Sequence, residues 1–393
     1  MAGARACINL RAADYPGPLT LISEEHHLPY DRPPLSKASI TQPDDPKPIW
    51  LLEPDMVASL KIDVHLGVGV KKIDRAAKLV ELADGSSAPY EKLLIATGAK
   101  PRSLGPHALT LRDHRDTMEL RQRFRPGQNI VIVGGGFIGL ELASSASKLD
   151  CKVTVIEAQP RILMRGVTET IARIVHDRHR AAGVDIMVGT AIELISANAV
   201  KLKDGRDIKA DTIIAGIGAS PELRLAQEAG LAVDNGIACN ENMQSSDPDI
   251  YAAGDCCSFI HTLFGGRRLR LEAWRSAQEQ ASTAVANMLG SAQPHVSVPW
   301  FWSDQYDLGV QITGVADMGP TTVERRIGEQ ALLQFHLADD GRLMGASGIG
   351  TGNSIARDIK LAEMMIAKTI KPPAEALADL NTPLRSLLKA GVS

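Results

Sequence analysis

The sequence predicts an α/β fold with a mostly parallel sheet and an α+β segment at its C-terminus, on three observations. Short apolar runs alternate with stretches of helical periodicity, and strands that are apolar throughout belong to parallel sheets covered on both faces. A glycine cluster, Gly134-Gly135-Gly136, follows one of these runs without a gap. Near residue 298 the alternation gives way to runs spaced as hairpins, which marks a domain boundary.

The elements follow in order. Residues 2–13 read as a helix and 18–22 as a strand. Residues 92–96 (KLLIA), 130–133 (IVIV) and 152–156 (KVTVI) read as buried strands, with a helix over 137–149 between the last two. A helix over 168–182 precedes a strand at 184–188, and strand signals return at 192–196, 199–203 and 212–215. Residues 250–253 form a short strand ending in Gly254-Asp255, and a long amphipathic helix covers 272–289. Beyond the break at 291–299 come strands at 309–314, 321–327, 331–337 and 342–348, then a closing helix over 353–368.

Bulk properties narrow the function class. With 393 residues the chain exceeds one core, so two or three domains are expected. A formal net charge of −3 gives nucleic-acid binding no electrostatic support. No apolar run approaches the ~18 residues that span a bilayer and no leader pattern is visible, so neither a membrane partner nor export is expected. The five cysteines, Cys7, Cys151, Cys239, Cys256 and Cys257, are odd in number and scattered, which suits a reducing cytoplasm and not a disulfide framework.

The glycine cluster carries the clearest chemistry. Gly134-Gly135-Gly136-Phe137-Ile138-Gly139 matches G-x-G-x-x-G between a strand and a helix. Gly134 permits the tight turn, Gly136 lets a pyrophosphate approach the backbone, and Gly139 lets helix and strand pack closely. The next strand ends in Glu157, 157 − 134 = 23 positions on, where an acid binds an adenosine ribose and repels a 2′-phosphate. NADH is therefore favoured over NADPH, although Arg161 four residues later reads either as a phosphate contact or as a solvated loop arginine. Glu141, in the first turns of an otherwise apolar helix, is either a helix-dipole carboxylate or a group beside the nicotinamide.

Two more segments suggest a second nucleotide. Ala96-Thr97-Gly98 ends a strand in a small-residue turn, matched by Ala215-Gly216-Ile217-Gly218-Ala219 further on. Gly254-Asp255 ends another; there a carboxylate can accept hydrogen bonds from flavin ribityl hydroxyls. Taken singly, a Gly-Asp after a strand is commonplace. Its order around the fingerprint is not.

With Tyr30-Asp31-Arg32-Pro33-Pro34-Leu35-Ser36-Lys37 and Pro299-Trp300-Phe301-Trp302-Ser303-Asp304-Gln305-Tyr306, the whole chain resembles the ferredoxin/putidaredoxin/rubredoxin-reductase branch of the FAD-dependent pyridine-nucleotide reductases. The resemblance implies two Rossmann-like nucleotide-binding domains, one for FAD (1–105 and 220–298) and one for NAD (106–219), plus a C-terminal α+β domain (299–393). It implies that Arg32 and Pro34 line the FAD with Ala96, Thr97, Gly98 and Arg102, and that Lys37 lies near the flavin N5 edge, paired with Glu141. Asp255 beside Gly254 would hold the ribityl chain, Trp302 would close over the isoalloxazine, and Gly218 would join Gly134, Gly136, Phe137, Ile138, Gly139, Glu157 and Arg161 around the NADH. Without the resemblance, Lys37 reads as a surface lysine at a helix start.

The same resemblance implies a glycine turn whose strand precedes Met1, with Gly3 as its last glycine and Glu24 as the acid on the FAD ribose. A chain starting inside that motif is expected to lose several kcal/mol and to hold FAD poorly, or else to have its natural start upstream. Related disulfide reductases carry a cysteine pair after the second strand, where this chain has Arg-Pro-Pro-Leu-Ser-Lys, so no sulfur relay is expected. Electrons then leave FAD for a small iron–sulfur carrier, a [2Fe-2S] ferredoxin or alternatively a rubredoxin, docked on a basic cluster of Arg267, Arg268, Arg270 and Arg275. That cluster reads otherwise as a solvated face, or as an arginine near the FAD. An NADH oxidase or quinone reductase, or an apoptosis-factor-like NADH sensor, are the rival readings, and a monomer or homodimer is open.

Overall fold

The computed structural model describes residues 1–44 and 46–390. In chain order its principal elements begin with α1 (Ala2–Ala12), β1 (Thr20–Ser23), β2 (Asp63–Leu66), β3 (Leu93–Ile95) and α2 (His114–Arg123). Then come β4 (Asn129–Val133), α3 (Phe137–Lys148), β5 (Lys152–Ile156), α4 (Glu169–Ala181), β6 (Asp185–Met187) and β7 (Thr212–Ala215). They end with β8 (Ile250–Ala252), α5 (Trp274–Met288), β9 (Trp300–Gln305), β10 (Leu308–Gly314), β11 (Thr321–Arg326), β12 (Leu332–Leu337), β13 (Leu343–Thr351) and α6 (Ala356–Ala367).

The chain divides into two compact units. One consists of Met1–Asp31, Pro48–Lys100 and Pro221–Pro299; the other of Arg32–Lys47, Pro101–Ser220 and Trp300–Ser393. In the first, α1 packs on α5 through small residues, with Ala2, Ala6, Ala277 and Ala281 in one buried cluster. Alanines at the crossing let the two backbones come close. At its rim Asn9 Nδ2 donates to Ser282 Oγ at 2.8 Å. Strands of this unit include the parallel pairs β1 with β2 and β3 with β8. Among the described residues the pairs do not join into one sheet.

The second unit contains a four-stranded sheet in the order β6-β5-β4-β7, parallel throughout. Its strands are apolar on both faces because helices cover one, around Ile130, Ile132, Leu140, Leu142, Val155 and Ile171, and an antiparallel ribbon covers the other, where Val131, Val133 and Ile213 meet Val200 and Leu202. The same hydrophobic cluster continues into a five-stranded antiparallel sheet, order β9-β10-β13-β12-β11, through Leu308, Val310, Leu332 and Ile349. One core therefore serves both sheets.

Each unit also carries a three-stranded antiparallel ribbon: Val70–Asp74, Leu79–Leu82 and Ser87–Pro89 in the first, Ile192–Ile195, Ala199–Leu202 and Asp207–Lys209 in the second. Their turns are the same device. Asp84 Oδ1 accepts from Ser86 N at 2.9 Å and Asp204 Oδ1 from Arg206 N at 3.1 Å, around Gly85 (φ +88°) and Gly205 (φ +91°). Ala-Val-Lys-Leu-Lys-Asp-Gly at 199–205 repeats the pattern of Leu-Val-Glu-Leu-Ala-Asp-Gly at 79–85, an internal repeat. Among the described residues no helix is long and apolar enough to cross a membrane.

Two buried histidines of the first unit make its stability depend on acid. His261 Nε2–H donates to Ser297 O at 2.9 Å, leaving Nδ1 buried with no partner. Its ring lies 5.6 Å from that of His295, whose Nδ1 meets Thr283 Oγ1 at 2.9 Å. Burial lowers both, His295 to about 4, with the neighbouring His261 a lesser cause. A histidine held neutral in the fold gains its proton more readily on unfolding. The stability it contributes is complete above about 6.5 and is lost as pH falls toward 4. The melting temperature is expected to drop by about 5 °C or more between pH 7.5 and pH 5, and to recover on neutralisation; a flat profile over that interval would contradict the assignment.

Candidate functional site

The turn from β4 into α3 is built from backbone alone. Gly134 has φ +113°, and a Cβ there would stand 2.4 Å from Gly216 O. A Cβ on Gly139 would stand 2.2 Å from Gly134 O. Neither obstacle can move without parting sheet and helix. At Gly136 the nearest atom to such a Cβ is 3.9 Å away, so space is open in front of the helix. Gly136 caps α3 without a side-chain acceptor. The first turn thus presents its N–H groups toward that space, which suits a pyrophosphate.

Glu157, half-buried just past β5, leans over this turn. Its Oε2 accepts from Gly135 N and its Oε1 from Gln159 N, each at 2.7 Å. Arg161 stays within its own loop: Nη1 donates to Ile162 O (3.1 Å) and Leu163 O (3.2 Å), and Nη2 to Met164 O (3.2 Å) and Val167 O (2.9 Å). Arg165, absent from the sequence reading, is exposed, and its Nη2 stands 3.9 Å from where a Cβ on Gly218 (φ +92°) would be. Phe137 is half-buried and packs against the core. Its ring contacts Phe301 at 4.6 Å between centroids and abuts Gly166, whereas Ile138 next to it is 51% exposed.

Glu141 is the acceptor at the centre of a buried cluster in the same unit. Lys37 Nζ is 2.9 Å from its Oε1, Ser303 Oγ donates to Oε1 at 2.6 Å, and Ser36 Oγ donates to Oε2 at 2.5 Å. The segment bearing Ser36 and Lys37 is pinned from two helices: Ser145 Oγ donates to Ser36 O at 2.6 Å and Thr117 Oγ1 to Leu35 O at 3.3 Å. Arg32 Nη1 donates to Arg112 O at 2.5 Å, and Pro34 lies in the 3₁₀ turn Pro33–Ser36. A buried carboxylate paired with a half-buried lysine is tolerable when its remaining lone pairs are met, and here the two serines meet them.

The other expected residues are placed by strand ends. In the first unit Gly254 (φ +84°) follows β8, its N donating to the buried Gln280 Oε1 at 2.8 Å, and Asp255 after it is half-buried. A Cβ on Gly254 would come within 3.5 Å of Ala2, at the start of α1. Gly3 lies over Leu21 and, more distantly, Ala96. Glu24, Ala96 and Thr97 are exposed at the ends of β1 and β3, with Gly98 at φ +69°. In the second unit Arg102 N donates to Gly218 O at 2.9 Å and Nε to Ser220 Oγ at 3.2 Å. Trp302 stacks on Trp300, centroids 5.1 Å apart and planes 19° from parallel.

Of the arginines 267–275, Arg268, Arg270 and Arg275 have local partners. Arg268 donates to Ser258 O (2.8 Å) and Cys239 O (3.0 Å), Arg270 pairs with Glu272, and Arg275 pairs with Glu279 at 3.0 Å. All five cysteines are free thiols, and burial pushes Cys7, Cys151 and Cys256 up to about 11. Such thiols carry little thiolate.

The profile of the pyridine nucleotide-disulphide oxidoreductases matches residues 1–281, and that of the reductase C-terminal domain residues 300–388. The anthranilate 1,2-dioxygenase system ferredoxin–NAD(+) reductase component of Burkholderia cepacia is 36% identical over 400 residues, covering 98% of this chain and 97% of that protein. The ferredoxin reductase for the CYP199A2 system from Rhodopseudomonas palustris superposes with a TM-score of 0.92 at 33% identity, over 100% of this chain and 97% of the other. The reductase in a covalent putidaredoxin reductase–putidaredoxin complex gives 0.91 at 32%, over 99% and 96%.

Replacing Gly139 by alanine is expected to cost about 1–3 kcal/mol, since the new methyl meets a backbone oxygen. Thermal unfolding should show that loss, and an NADH titration should show binding weakened in parallel. An alanine variant as stable and as tight as the unmodified chain would refute this reading of the turn.

Proposed function

The chain belongs to the pyridine nucleotide-disulphide oxidoreductase family, and on that premise we propose that it is the NADH-dependent, FAD-containing ferredoxin reductase of an oxygenase system. Its cofactors are FAD and NAD(H), as in the reductases it resembles over nearly its whole length. The observation that carries the reading is the Lys37–Glu141 pair, a compensated charge pair two residues past the last glycine of the dinucleotide turn.

In this reading residues 1–105 with 220–298 bind FAD, 106–219 bind NADH, and 299–393 form the reductase domain. The flavin, when bound, would supply hydride acceptance from NADH and single-electron release to the carrier. The chain's own part is to bind and orient. Gly134, Gly136 and the start of α3 receive the NADH pyrophosphate, with Ile138 and Gly218 beside it. Glu157 accepts from the ribose, and Arg165 joins this group from the loop above Gly218. Gly3, Glu24, Ala96, Thr97, Gly98, Gly254 and Asp255 are assigned to FAD, as are Arg32, Pro34, Lys37, Arg102 and Trp302. Arg161 serves NADH indirectly, by fixing the loop. The acceptor is a [2Fe-2S] ferredoxin, and the enzyme works in the cytoplasm as a monomer or homodimer.

The test is NADH-driven reduction of four acceptors by the flavin-loaded chain: a [2Fe-2S] ferredoxin, a rubredoxin, a quinone and oxygen. Fastest turnover with the [2Fe-2S] carrier supports the proposal, whereas faster quinone or oxygen reduction replaces it with an oxidase or quinone reductase. Glu157→Ala is expected to narrow the preference for NADH over NADPH by about tenfold, read as the ratio of kcat/KM values.

A further inference from the structure

Alternation along β9 turns Phe301, Ser303 and Gln305 to one side and Trp300, Trp302 and Asp304 to the other. Past Phe301 the inner row is polar where apolar side chains would ordinarily pack: Ser303 is 0% exposed, Gln305 3%, and His179 at the end of α4 0%. Ser303 Oγ lies 2.6 Å from Glu141 Oε1, and Gln305 Nε2 lies 3.2 Å from Ser303 Oγ. Continuing outward, His179 Nε2 is 2.8 Å from Gln305 Oε1, and Tyr306 Oη is 3.4 Å from His179 Nδ1.

The direction of every bond in this row follows from its inner end. An ionised carboxylate only accepts, so Ser303 must donate to it; the serine lone pair then takes the amide N–H of Gln305. That orientation turns Gln305 Oε1 toward the histidine, which must therefore carry its hydrogen on Nε2. The bare Nδ1 accepts from Tyr306. Burial lowers His179 to about 4, so the ring stays neutral near pH 7 and the direction does not reverse. The row does not pass protons, because an amide cannot exchange donor for acceptor as a hydroxyl or imidazole can. Its use is geometric.

We propose that Ser303, Gln305 and His179 are positioning residues that brace the Glu141 carboxylate against Lys37, so that strand β9 of the C-terminal sheet sets the geometry of the pair. The proposal rests on the reading of Lys37–Glu141 as the pair beside the flavin. Ser36 holds the opposite oxygen of the same carboxylate, so removing Ser303 leaves Oε1 held by Lys37 alone.

A double-mutant cycle on the flavin-loaded full chain tests the brace. Ser303→Ala is expected to lower kcat about fivefold, with the KM for NADH changed by less than about twofold, and to add little in the Glu141→Gln background. Additive losses, or an unchanged kcat in Ser303→Ala while Glu141→Gln is impaired, overturn the brace. If Glu141→Gln itself leaves kcat unchanged, the flavin-side reading fails instead, and the brace is judged by a readout that needs no turnover. In spectra of the chain labelled with ¹⁵N-histidine, His179 should show the Nε2–H tautomer, keep it in Gln305→Glu, which retains an oxygen opposite Nε2, and lose it in Gln305→Leu. A hydrogen on Nδ1 in the unmutated chain, or a tautomer indifferent to Gln305→Leu, overturns the proposal.

Discussion

Three stretches of backbone meet at Gly134, and the placement of Glu141 follows from that contact. The carbonyl of Gly216 faces Gly134, and the carbonyl of Gly134 faces Gly139, with no room for a side chain at either place. This close approach sets the height of α3 above the parallel sheet. It leaves the helix start open at Gly136 and brings Glu141 to where a lysine and two serines reach it. The contact is cheap in bonds and strict in geometry. Glycine contributes here by what it lacks.

The parts legible in the sequence are those written locally. Continuous apolar runs marked β3, β4, β5 and β7 to within a residue or two, because a strand covered on both faces leaves no polar alternation to misread. The fingerprint was legible because glycine spacing is itself the geometry. By contrast, α2 went unread although Asp113 and Asp116 form a complete capping box, since its interior is mostly charged and shows no apolar stripe. β9 was read as a string and not as a strand, because tryptophans on the outer face and buried serine and glutamine on the inner one invert the usual pattern. The repeated ribbon escaped notice because its two copies share only a short run of side-chain character.

Long-range pairings were the least legible. Lys37 and Glu141 are 141 − 37 = 104 positions apart, and only the family resemblance suggested that they meet. Nothing local distinguishes Ser303 from other strand serines or marks His179 in a helix whose last turn is basic throughout. Charge counted along the chain likewise says nothing of the carbonyls and carboxylates that Arg268, Arg270 and Arg275 meet.

The loop held by Arg161 has a consequence for energetics. One guanidinium spans four carbonyl oxygens from residues 162 to 167, Leu163 N donates to Gly135 O at 2.9 Å, and Leu163 takes a left-handed conformation at φ +51°. The conformational entropy of ordering this stretch is spent when the chain folds, so little of it remains to be subtracted from the affinity of an incoming dinucleotide. A lysine in its place would reach fewer of those oxygens and leave the rim floppy, shifting that ordering cost from folding onto association.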